Sequence, residues 1–161
     1  MSSRSLSDCV DSLSLAASYI IEDYGRMMIN DGLTLRPICT LRSAAEQLEA
    51  FKKGRVIEMV DGKPIVIEEH PGLIVTKIDG ITKTSKHNPT NEYPLSRAVD
   101  FGVFNKAGKY LTDNKYYEPL LDLARKYNLI TGWDFKQTGL PIEKLLKIPD
   151  FRDPPHVQLG D

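Results

Sequence analysis

Apolar residues recur along the first part of the chain at Leu6, Val10, Leu13, Ala17, Ile20, Tyr24 and Met27, in alternating steps of four and three. That spacing draws one stripe down a helix, with Asp8, Asp11, Ser14, Glu22 and Asp23 largely off it, and predicts a core-facing amphipathic helix. Gly25 weakens the pattern locally, and Asn30-Asp31-Gly32 ends it. From Leu33 to Leu41 the period changes to two, which predicts a strand. Pro37 inside it predicts an edge position or a bulge, because proline has no N–H for a ladder. Ser43-Ala44-Ala45-Glu46 has capping-box spacing and opens a helix expected to run to about Lys53 and stop at Gly54. Val56 to Met59 and Ile65 to Ile67 flank an Asp61-Gly62 turn, the pattern of a β-hairpin.

Beyond Pro71-Gly72, Leu73 to Thr76 is expected to form a short strand. A polar stretch from Asp79 to Ser96 follows, long enough that a functional or mobile loop is expected. Arg97 to Phe104 alternates again. One face of that strand presents Val99, Phe101 and Val103, and the other presents Ala98, Asp100 and Gly102. A helix is expected from near Pro119, covering Leu120, Leu121, Ala124 and Tyr127. The remainder is a Leu129 to Phe135 segment, a short helix after Pro141 and an irregular tail ending in Val157-Gln158-Leu159. The elements give an α+β class in a single domain, 1–161.

Composition narrows the function classes. Of 161 residues, 41% are hydrophobic and 27% charged, a soluble globular balance. Lys plus Arg number 21 against 22 Asp plus Glu, so no overall field attracts nucleic acid or an anionic membrane. No run approaches the roughly 20 apolar residues that span a bilayer, and no stable membrane insertion is expected. The N-terminus lacks an apolar stretch of signal-peptide length, so synthesis in the cytoplasm is expected. Cys9 and Cys39 are far apart and are expected to be buried thiols, not a disulfide framework or a cysteine zinc site.

Candidate chemistry concentrates in the three histidines, His70, His87 and His156. There is no HExxH helix, P-loop, GxGxxG or GxSxG elbow. Asp100, between Ala98 and Gly102 on its strand face, is either a carboxylate that something can approach or a salt-bridged residue at a sheet end. In Asp153-Pro154-Pro155-His156 the prolines favour polyproline II, whose three-residue repeat projects Asp153 and His156 from one side, on the order of 9 Å apart. Such a pair suits either a metal ligand with its partner carboxylate or a solvated surface turn.

Taken together, Ser85-Lys86-His87-Asn88, Ser96-Arg97-Ala98-Val99-Asp100-Phe101 and Asp153-Pro154-Pro155-His156 resemble the zinc metallopeptidase family of D-Ala-D-Ala carboxypeptidases and dipeptidases, which includes bacteriophage L-alanyl-D-glutamate endopeptidases (endolysins). Thr40-Leu41-Arg42-Ser43-Ala44-Ala45-Glu46-Gln47 resembles the family's R-S-x-x-E-Q segment, and Gly132-Trp133-Asp134 its G-W segment. All five blocks fall in the family's order, from about Leu33 to Leu159. His87 and Asp100 are further apart than in the compact pattern, so Asn88 to Leu95 must loop out. Ser96 stands where a glycine is usual, and Val157-Gln158 where an aromatic and an acid usually follow the last histidine.

The resemblance implies a small antiparallel sheet with helices packed on it and a zinc site at the open face. It implies zinc held by His87, Asp100 and His156 with a fourth position open, as catalytic zinc sites require. Asp153 would take a proton from the attacking water and deliver it to the leaving amine. Arg42 would stabilise the oxyanion. Ser85 and Gln47 fall at substrate-side positions, where either would equally serve to cap or anchor a loop. His70 has no counterpart and is expected to be a structural or surface residue.

The implied activity is hydrolysis of an amide bond in the peptidoglycan stem peptide. An L-alanyl-D-glutamate endopeptidase of endolysin type comes first, acting as a monomer on the bacterial cell wall after accumulating in the host cytoplasm. The alternatives are a D-Ala-D-Ala carboxypeptidase or dipeptidase, a non-catalytic zinc-bearing binding module of the same fold, and a virion component with wall-degrading activity.

Overall fold

The computed structural model describes residues 2–134 and 155–160. The first apolar stripe forms α1 (Asp11–Met27), which buries Leu13, Ala17, Ile20 and Tyr24. Leu6 lies ahead of it in a 3-10 turn, Leu6–Asp8, so the helix starts later than the stripe suggests. Burying residues the size of Leu13 and Ile20 contributes about 1.5–3 kcal/mol each. The stripe packs on Val99, Phe101 and Val103 of a central strand and on Leu120, Leu123 and Ala124 of a later helix.

Strand β1 (Thr34–Cys39) follows α1, and α2 (Ala44–Lys52) opens with the Ser43–Glu46 capping box formed in both directions. Strands β2 (Arg55–Val60) and β3 (Lys63–Glu69) form a separate hairpin. Strand β4 (Ala98–Phe104), β5 (Tyr110–Leu111), α3 (Glu118–Lys126), β6 (Leu129–Thr131) and β7 (His156–Leu159) complete the described elements. The main sheet runs β1-β4-β7-β6 with β5 also on β4, and every strand pair is antiparallel. The class is α+β, with three α-helices and a small antiparallel sheet among the described residues. Pro37 is accommodated as its chemistry requires: β1 is an edge strand, and its register shifts between Pro37 and Cys39.

Two expectations are corrected. Among the described residues Leu73 to Thr76 joins no ladder; Pro71–Leu73 form a 3-10 turn, and side chains reach Thr76 instead. Arg55 Nη1 donates to the Thr76 carbonyl (2.8 Å), and Gln47 Nε2 to Thr76 Oγ1 (3.3 Å). The tail is not irregular: β7 lies inside the sheet between β4 and β6, with Val157 fully buried. The short helix expected after Pro141 falls outside the described residues.

Candidate metal centre

Strand β4 supplies the anchor. Its register sets Asp100 opposite Cys39 of β1 on one side and opposite His156 of β7 on the other. Backbone bonds fix the His156 side: Phe101 N–H donates to the Pro155 carbonyl (2.9 Å) and Gly132 N–H to the His156 carbonyl (2.9 Å). The Gly132-Trp133-Asp134 segment thus fastens the strand that carries His156. Asp134 closes its own corner through Arg125 (2.6 Å) and the Thr131 hydroxyl (3.0 Å).

His87 arrives from the long polar loop. Arg97 N–H donates to the Lys86 carbonyl (2.8 Å), so the two ends of the intervening segment are tied together and its extra length loops out without displacing His87. Ser85 and Asn88 build the turn around the histidine: Ser85 N–H donates to Asn88 Oδ1 (2.7 Å), and His87 N–H to Ser85 Oγ (3.3 Å). Asn88 Nδ2 then donates to the Arg42 carbonyl (2.8 Å), while Arg42 N–H donates to the His87 carbonyl (2.9 Å). The 40–43 and 85–88 segments are zipped together.

Three expected ligands converge. His87 Nε2 lies 3.1 Å and His156 Nδ1 lies 2.8 Å from the same oxygen, Asp100 Oδ1, and the two nitrogens are 3.3 Å apart. A tetrahedral ion with bonds near 2.0–2.1 Å sets its ligand atoms about 3.3 Å from one another, so this triangle has the size of one face of such a shell. The outer nitrogens are also committed correctly. His87 Nδ1–H donates to the Thr40 carbonyl (2.6 Å), and His156 Nε2–H to Gln158 Oε1 (3.1 Å). Each ring therefore turns its inner nitrogen toward Asp100, the arrangement of metal-ligating histidines.

Cys39 is a buried thiol outside any disulfide, as expected, yet it stands close to the centre. Its thiol, with His87 and Asp100, completes a group of donors within 4.8 Å of one another that could hold a metal ion. Arithmetic on cysteine spacing misses this, because the β1–β4 register and not sequence distance brings Cys39 to Asp100. The sulfur lies on the Nδ1 side of His87, at 3.9 Å, and accepts from Arg42 Nη2 at 3.2 Å. Since Nδ1 is bonded to Thr40, the sulfur stands beside the Nε2–Oδ1–Nδ1 triangle as a further donor.

Arg42 borders the centre. Its guanidinium reaches Gln47 Oε1 (3.1 Å) and lies 3.8 Å from Asp100 Oδ2. Gln47 is buried, with its amide nitrogen on the Ile78 carbonyl (2.8 Å), and Gly80 packs so closely on it that a Cβ would sit 2.7 Å from Gln47 Cβ. In the described structure Ser85 and Gln47 thus both act as anchors, one for His87 and one for Arg42. Asp100 and Arg42 keep 17% and 20% of their side chains exposed, which places the mouth of the centre between them. Asp153 lies outside the described residues. His70 is exposed on the hairpin exit, 3.4 Å from Glu68.

The small residues flanking Asp100 serve packing. A Cβ on Gly102 would lie 2.7 Å from Ile38 and 3.0 Å from Tyr110, so the glycine admits neighbouring side chains and not a ligand. Ser96 donates from its hydroxyl toward the Thr40 (3.0 Å) and Ala98 (2.6 Å) carbonyls. It helps hold the carbonyl that orients His87. Thr40, Asn88, Ser96 and Gln158 lie within or beside the blocks that carry the resemblance, but nothing in those blocks assigned them these contacts.

The electrostatics follow from this packing. Burial opposes an imidazolium at His87, yet the adjacent Asp100 carboxylate overrides it and pushes the pKa up to about 10. Burial likewise favours a neutral Asp100, and the two imidazoles hold it well below the usual carboxylate range. Between them, His87 and Asp100 make a pocket that demands a positive charge, supplied by a proton or by a metal ion. Among the described residues no helix is long and apolar enough to cross a membrane. No protein-family model and no curated protein matches the chain.

Proposed function

We propose that this chain is a zinc peptidase that hydrolyses an amide bond of the peptidoglycan stem peptide, with the L-alanyl–D-glutamate bond as its first target. The observation that carries this reading is the meeting of His87 Nε2, Asp100 Oδ1 and His156 Nδ1 in one triangle of 2.8–3.3 Å, with Arg42 at its rim. Two imidazoles and a carboxylate leave a coordination position open, the donor set of a catalytic rather than a structural zinc site. Zinc held there would polarise the scissile carbonyl and activate a water.

The remaining work falls to the chain itself. Arg42, steadied by Gln47, would face the oxyanion as it forms. Thr40 and Gln158 hold the two imidazoles in the ligating tautomer. Asp153, three residues before His156, would accept the water's proton and pass it to the leaving amine.

Mass spectrometry of purified peptidoglycan after digestion, with and without a chelator, tests the proposal. Chelator-sensitive cleavage at the base of the stem supports it. Release of free D-alanine instead assigns the carboxypeptidase or dipeptidase reaction. A chain that binds zinc and cleaves nothing is a binding module, and the peptidase reading fails.

A further inference from the structure

The two imidazoles of the centre are oriented by unlike acceptors. His87 donates to a backbone carbonyl, which no substitution of a side chain can alter. His156 donates to a side chain, Gln158 Oε1, at 3.1 Å. Strand geometry creates that contact: residues two apart point to the same face, so Gln158 projects beside His156 along β7. The neighbouring strand leaves it room. Gln158 pairs with Ala98 just as His156 pairs with Asp100, so its cross-strand neighbour is a small, fully buried residue.

We propose that Gln158 is a positioning residue that fixes the ring of His156 with Nδ1 toward the metal, and that its neutral carboxamide holds the centre's metal affinity below what a carboxylate would give. An acceptor on the outer nitrogen of a ligating histidine fixes the tautomer and ring angle, and an anionic acceptor also raises the ligand's basicity. A carboxamide supplies the first effect and little of the second. The proposal rests on the metal centre alone and stands whether or not the chain is a peptidase.

The two roles separate by substitution. Gln158→Leu keeps the size but removes the acceptor, and should weaken zinc binding about 10- to 100-fold. Gln158→Glu keeps the acceptor and adds a charge, and should tighten zinc binding, by about tenfold. Affinity is read by competition with a chromophoric chelator on the folded, metal-free full chain, so no turnover is needed. Long-range proton–nitrogen NMR of the zinc-loaded parent should show His156 protonated at Nε2. A residue that merely fills space would move both variants in the same direction, so opposite signs support the role. Should one variant fail to fold, the other still decides, because each has its own expected sign. Unchanged affinity in a folded variant, or a shift opposite to that sign, overturns the proposal. Absence of zinc uptake by the parent removes the centre itself and is a distinguishable failure.

Discussion

Metal uptake by this centre should expel one proton from His87. In the metal-free protein the Thr40 carbonyl takes the Nδ1–H and Asp100 faces Nε2, so both ring nitrogens address acceptors and the ring is held as an imidazolium with a pKa of about 10. A metal requires the neutral ring. At pH 8 only about one ring in a hundred is neutral, so apparent affinity there is about a hundredfold below its limit, and it should climb about tenfold per pH unit between pH 7 and 9. Calorimetry in buffers of differing ionisation enthalpy should return about one proton released per metal bound at pH 8. The same proton bears on stability. The folded pKa lies above the unfolded value near 6.5, so its contribution is fully present below pH 6.5 and is lost as pH rises through about 10. Asp100→Asn removes the carboxylate and leaves burial to dominate, so an NMR titration of the metal-free variant should show His87 neutral at pH 8. Buffer-independent enthalpies, with an affinity flat from pH 7 to 9, would refute this account of the site's charge.

Further outcomes follow from the same geometry. Arg42→Lys should bind zinc like the parent but lose about 10²–10³ in kcat on a soluble stem peptide, because lysine lacks the planar fork held by Gln47. Asp153→Asn should keep the fold and zinc and lose about 10²–10⁴ in rate; parent-like turnover in the zinc-loaded variant assigns the base elsewhere. Asn88→Ala should cost about 1–3 kcal/mol in denaturant unfolding, since it leaves the Ser85 N–H and Arg42 carbonyl unpaired near His87. Gly80→Ala should cost at least about 1–2 kcal/mol, for a left-handed backbone at φ +80°, and a thermal melt unchanged from the parent would contradict the close packing on Gln47.

Local chemistry in the sequence was enough for α2, the β2–β3 hairpin and the two faces of β4, because a capping box, an Asp-Gly turn and a period of two each act over a few residues. Pro37 announced its edge strand for the same reason. What escaped were features that exist only when distant segments meet. The tail looks irregular until β4 and β6 are beside it, and Leu73 to Thr76 looks like a strand until Arg55 and Gln47 claim its polar groups. The centre divides in the same way. His87, Asp100, His156 and Arg42 stood out by their order along the chain, whereas Cys39, Thr40, Ser96 and Gln158 join them only through strand register and a shared carbonyl. Gln158 drew notice only as a departure from the resembled pattern; its contact with His156 would have been legible had the tail been read as a strand, since it lies two residues beyond His156.

The central claim is that one metal ion is held by His87, Asp100 and His156. A crystal of the zinc-loaded protein, with diffraction recorded on both sides of the zinc absorption edge, addresses it most directly. The account predicts a single anomalous peak per chain, bonded to His87 Nε2, Asp100 Oδ1 and His156 Nδ1, with the Cys39 sulfur outside bonding distance. A peak bonded to the Cys39 sulfur at about 2.3 Å, or one lying at His70, would contradict it.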